Sequence, residues 1–147
     1  MGGHRRLDAE AVERMVAERR ARFEAADGVE SIMLVEDDPV TAALIESHLS
    51  DLRPDARLRV FADGFTALLD AGRDVPDWLI TDIDLPGLDG LQMIRKLREN
   101  PATQKMRIVL ATSHAGPSLE RFGPLPDGIP LLMKPVTPEA LSAAMAG

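Results

Sequence analysis

At 147 residues the chain has room for one domain and a short appendage, but not for a second catalytic domain. Its net charge of -7 excludes a basic nucleic-acid surface, and the lack of cysteine excludes disulfides and thiolate metal sites. The Arg- and Glu-rich start holds no signal-peptide core, and no apolar run approaches the ~20 residues that span a bilayer, so a cytoplasmic protein with no membrane or nucleic-acid partner is expected. Met1-Gly2 does not open a myristoylation motif, because Arg6 stands where Ser or Thr is required.

From Leu7 to about Ala26 there is no Pro or Gly, and Val12, Met15, Val16 and Phe23 recur at helical spacing. This predicts one amphipathic helix, ended by Asp27-Gly28, so residues 1–28 form an N-terminal helical extension and residues 29–147 the main domain. Five strand-helix units follow: strands near 31–35, 57–61, 78–82, 108–112 and 130–133, and helices near 39–52, 64–71, 89–99, 117–122 and 137–146. Such alternation implies an α/β fold, a doubly wound five-stranded parallel sheet between helices. Residues 32–35, 78–80 and 108–111 are apolar throughout, as central strands covered on both faces should be. Val40, Leu44, Ile45 and Leu49 are expected on one buried helix face, and Leu91, Ile94 and Leu97 on another. Between Gly116 and Pro130 seven of fifteen residues are Gly or Pro, which leaves at most a turn or two of helix around Ser118 to Phe122.

Four strands end in polar groups. Glu36-Asp37-Asp38 follows the first, Asp82 ends the third, Thr112 closes the fourth and Lys134-Pro135 follows the fifth. In an open parallel sheet these ends line the ligand crevice. The carboxylates there suit a divalent cation and a phosphoryl group placed on a carboxylate. Asp38 before Pro39 reads as a helix N-cap, which leaves Glu36 and Asp37 as the acidic pair. Asp89-Gly90 reads as a turn and cap. His4, His48 and His114 have no metal-cluster spacing, and His48 falls at a helix boundary with solvent.

Glu36-Asp37, the run Asp82-Ile83-Asp84-Leu85-Pro86-Gly87-Leu88-Asp89-Gly90, Thr112-Ser113 and Lys134-Pro135, in that order, give residues 30 to 146 a pattern that resembles the receiver domain of two-component response regulators. The resemblance implies a flavodoxin-like fold with Asp82 as phosphoacceptor, taking a phosphoryl group from the phosphohistidine of a histidine kinase or histidine phosphotransfer protein. It implies Mg2+ (or Mn2+) on Glu36, Asp37, Asp82 and the backbone carbonyl of Asp84. Lys134 would pair with Asp82 and then with the phosphoryl group, and Thr112 would donate its hydroxyl to a phosphoryl oxygen. Lys134-Pro135 is a candidate cis peptide, Ser113 is small enough to leave the site open, and Asp84 and His114 are candidates for tuning dephosphorylation.

Two features depart from the pattern. Leu131 stands three positions before Lys134, where receivers commonly carry an aromatic coupled to the threonine, and the Gly/Pro-rich segment weakens the fourth helix. Phosphorylation is therefore expected to order or redirect that segment. Because the sequence runs out after the last receiver helix, output is expected through binding to an unknown downstream protein, and the N-terminal helix is expected to dock on its own receiver beside the final helix or, alternatively, to pair with another copy in a homodimer. The protein would then be a signalling phosphoacceptor and not an enzyme. A receiver-like module that ignores phosphorylation is the alternative. A haloacid-dehalogenase-type phosphatase, suggested by Asp82-Ile83-Asp84, fits less well, since Pro86 stands where that family carries Thr or Val.

Overall fold

The computed structural model describes residues 28–146, so the helix expected from Leu7 to about Ala26 lies outside the described residues. The elements are β1 (Ser31–Val35), α1 (Pro39–Leu52), β2 (Arg57–Phe61), α2 (Gly64–Arg73), β3 (Trp78–Asp82), α3 (Gly90–Glu99), β4 (Arg107–Thr112), α4 (Pro117–Glu120), β5 (Leu131–Met133) and α5 (Pro138–Ala144). All five strands pair in parallel in the order β2-β1-β3-β4-β5. This is the doubly wound, flavodoxin-like order, which reverses between β1 and β3 and opens a crevice at the strand ends there.

Every residue of β1 and β3 is buried, because helices cover both faces. Alternate residues feed two cores. Met33, Val35, Leu79 and Leu110 pack with Leu91, Ile94 and Leu97 of α3. Ile32, Leu34, Ile80 and Val109 pack with Ile45 and Leu49 of α1 and Leu141 of α5. The α3 stripe is as expected, but the α1 stripe needs correction: Val40 is 78% exposed and Leu44 41% exposed, while Ala42, Ile45 and Leu49 are buried. Successive helix positions turn by about 100°, so with Ile45 set against the sheet Leu44 rotates out of the contact.

Each long helix starts at a capped strand-end loop. Asp38, Asp63 and Asp89 accept the backbone N–H three residues on, at 3.0, 2.8 and 2.9 Å, and Thr137 does the same for α5 at 3.1 Å. Asp38 and Asp89 thus cap as their sequence context predicted, and Asp89 completes a capping box with Gln92. The segment rich in Gly and Pro supports only the single turn of α4, in which no residue is buried.

Candidate functional site

The loops after β1, β3, β4 and β5 converge on one open cleft of about 700 Å³, whose walls include Glu36, Asp37, Asp82, Asp84, Ser113 and Lys134. Glu36 is buried because its N–H continues the β1-β2 ladder to the Phe61 carbonyl at 2.9 Å. Asp37, the next residue, is exposed. Asp82 ends β3 at 7% exposure; its Oδ1 accepts the Asp84 N–H at 3.2 Å and its Oδ2 accepts Lys134 Nζ at 2.9 Å. Lys134 is aimed from the end of β5, where its N–H donates to the Thr112 carbonyl at 2.9 Å, and the Lys134-Pro135 peptide is cis. The same ammonium also donates to Glu36, a contact the sequence did not suggest.

Burial raises the Glu36 carboxyl above its ordinary 4.5. The charge of Asp82 pushes the same way, and the hydrogen bonds from Lys134 and the Asp38 N–H offset the rise only in part. Burial by itself would lower Lys134, but hydrogen bonds to Glu36 and Asp82, reinforced by their charges, carry it above 10.5. The lysine therefore stays an ammonium between two carboxylates.

One carboxylate oxygen from each of Glu36, Asp37 and Asp82 lies within 4.8 Å of the others. A set of hard oxygen donors with open space beside it fits Mg2+, which binds few carboxylates and keeps several waters. Asp84, by contrast, turns its side chain towards His114 Nε2 at 3.1 Å and Arg121 Nη2 at 3.3 Å. Thr112 is fully buried, and its Oγ1 accepts the His114 N–H at 3.0 Å. His114 also contacts Ser118 Oγ through Nδ1 at 2.7 Å and lies against the Phe122 ring.

Two contributors escaped the sequence reading. Arg121 carries no local signal, because its partner Asp84 lies 37 residues away. Gly90 belongs by sequence to a turn and cap, yet a Cβ there would sit 2.1 Å from the Asp82 carbonyl oxygen. Its N–H donates to Ile83 O at 2.8 Å, so the loop from Asp82 to Asp89 is cinched at a point where only glycine fits.

The family model of the response regulator receiver domain matches residues 32–146. The chain belongs to the response regulator receiver family. Response regulator PleD of Caulobacter vibrioides is 35% identical to it over 85 residues, which make up 58% of this chain and 18% of PleD. The cyclic di-GMP phosphodiesterase response regulator RpfG of Xanthomonas campestris pv. campestris is 30% identical over 122 residues, 82% of this chain and 32% of RpfG. The receiver domain thus spans less than a third of either relative. Among solved structures, the receiver domain of sensor histidine kinase PA1611 from Pseudomonas aeruginosa, described with a magnesium ion coordinated in its active site cleft, is 32% identical. It has a TM-score of 0.69, with 78% of this chain and 93% of that one covered. Receivers are signalling domains of two-component systems, bind Mg2+ at an acidic pocket and work with histidine kinases or phosphotransfer proteins. Among the described residues, no helix is long and apolar enough to cross a membrane.

Proposed function

We propose that this receiver takes a phosphoryl group from the phosphohistidine of a histidine kinase or histidine phosphotransfer protein onto Asp82 and passes the signal on by protein contact. The observation that carries this is the placement of the Asp82 carboxylate beside one ammonium and two further carboxylates in an open cleft. An Asp82 oxygen attacks phosphorus, the P–N bond breaks, its electron pair leaves with the imidazole, and an acyl phosphate forms. Glu36, Asp37, Asp82 and the backbone carbonyl of Asp84 would hold Mg2+, or Mn2+. When bound, the cation offsets the repulsion between carboxylate and phosphoryl oxygens. Lys134 neutralises Asp82 beforehand and a phosphoryl oxygen afterwards, while the Thr112 hydroxyl donates to a second oxygen. Asp84 and His114, which contact each other at 3.1 Å, would tune water attack on the acyl phosphate. We place it in the cytoplasm, a location consistent with a receiver whose described residues include no membrane-crossing helix. Residues 1–28 are assigned to an extension outside the receiver of residues 29–147, in keeping with a family match that begins at residue 32.

Intact mass after incubation with Mg2+ and acetyl phosphate or phosphoramidate tests this. One added phosphoryl group is expected, dependent on Mg2+, labile to hydroxylamine and absent in Asp82→Asn. No gain with any donor would overturn the proposal and leave a module that works without phosphorylation. Turnover of a small phosphate ester would instead mark a phosphatase.

A further inference from the structure

We propose that in this receiver the state of Asp82 is relayed through Thr112 to a ring pair, His114 and Phe122, whose displacement frees the α4 segment from the loop that follows β3. This rests on Asp82 being the phosphoacceptor. Leu131, on β5, has no ring to swing and is already packed with Leu119, Phe122 and Ile129 against the core on the α3 side of the sheet. An aromatic is nonetheless coupled to the threonine, by a different path. The Thr112 hydroxyl accepts the His114 N–H at 3.0 Å, and the His114 ring lies 5.2 Å from the Phe122 ring at a tilt of 56°.

A hydroxyl has one hydrogen to donate and lone pairs with which to accept. Thr112 Oγ1 spends a lone pair on His114 and keeps its hydrogen for a phosphoryl oxygen at Asp82. Movement of the hydroxyl towards that oxygen either stretches the 3.0 Å bond or draws the His114 backbone with it. Both displace the imidazole against Phe122.

The imidazole also anchors the segment. Its Nε2 meets Asp84 at 3.1 Å, and the Arg121 guanidinium reaches the same carboxylate at 3.3 Å while lying 4.7 Å over the Phe122 ring. Beyond these contacts, the segment 116–123 is held by Leu119 and Phe122, partly buried against the core, and by Ser118 Oγ at 2.7 Å from His114 Nδ1. Gly116, which opens α4, makes no side-chain cap, the helix is one turn long and none of its residues is buried. A one-turn helix tied to the core by two partly buried side chains has few anchors to share the load, so loss of one shows in its opening.

The test uses the full chain, with ring resonances of His114 and Phe122 and amide exchange over 114–130 followed in Mg2+ alone and in Mg2+ with beryllofluoride. Amides flanking Asp82 should shift. Both rings should shift with them, and amides of 116–123 should exchange about two- to tenfold faster, the effect of losing one hydrogen bond. In Thr112→Val the amides flanking Asp82 should respond while the rings do not, and Thr112→Ser should restore the ring response. Phe122→Leu, a change at the margin of the core, should leave the Asp82 response intact and abolish the exchange difference. Still rings beside shifted Asp82 amides, or the same exchange difference in Phe122→Leu, would overturn the relay and leave Asp82 as phosphoacceptor. No response at Asp82 under any condition would remove that assignment and the relay together.

Discussion

Glu36 and Lys134 show how burial and charge compete at single residues of the site. A carboxyl whose folded value is raised binds its proton more readily in the native state than in the unfolded chain. Its contribution to stability is therefore complete below the unfolded value and is lost as pH rises through the folded one. For Glu36 the window opens at about 4.5 and extends upward. Urea unfolding in EDTA should accordingly show a stability component that falls as pH rises above that value, and Glu36→Gln should flatten it. Protons compete with Mg2+ for the same oxygens, so Mg2+ affinity should rise through that window in the wild type. Lys134 is raised from 10.5, and its contribution is lost only above that pH. That Glu36, Asp37, Asp82 and Lys134 belong together was legible from four short motifs in order, each weak alone. The link from Lys134 to Glu36 was not, because 98 residues separate the two and no local pattern encodes it.

At the scale of elements, helix starts were legible from chemistry within four residues. Asp38 before Pro39 and Asp89 before Gly90 became caps because a carboxylate at that position satisfies an N–H the helix leaves free. Asp89→Ala should cost about 1 kcal/mol in chemical denaturation, since it removes the side-chain acceptor of the Gln92 N–H and leaves only the half of the capping box in which the residue 89 N–H donates to Gln92 Oε1. Asp38 is held below its ordinary 3.8 by its hydrogen bonds from the Thr41 hydroxyl and N–H, and Asp63 by bonds from the Thr66 N–H and hydroxyl. Their stabilisation is present above that value and lost as pH falls below it, a separate and more acid window than that of Glu36. The buried arc of α1 departs from the periodic stripe at Val40 and Leu44, which are exposed. Periodicity gives the spacing of a stripe, but the orientation of the helix on its sheet decides which of two adjacent apolar residues makes the contact.

At the largest scale, the described residues 28–146 rest on two cores divided by the sheet. Ile80, 1% exposed on central β3, belongs to the core under α1 and α5, and Ile80→Ala should cost about 2–5 kcal/mol in denaturant unfolding. Domains of this kind are stable by only about 5–15 kcal/mol, so that one change consumes much of the margin. Val40→Ala, at a residue 78% exposed, should stay within about 0.5 kcal/mol of the wild type. Equal losses at the two positions would mean that α1 buries the face expected from sequence periodicity instead of the one seen in the structure.

Features that depend on near neighbours were legible in the order of residues. Runs apolar at every position made central parallel strands, aspartates before helices made caps, and Gly and Pro held α4 to one turn. What distant segments do to one another came from the folded arrangement. It set Gly90 against the Asp82 carbonyl, placed one ammonium between Glu36 and Asp82, and joined Asp84, His114, Arg121 and Phe122 into one cluster. The physical reason is that periodicity and capping act over a few residues, whereas these contacts follow from strand register and order, which bring together residues up to 98 positions apart.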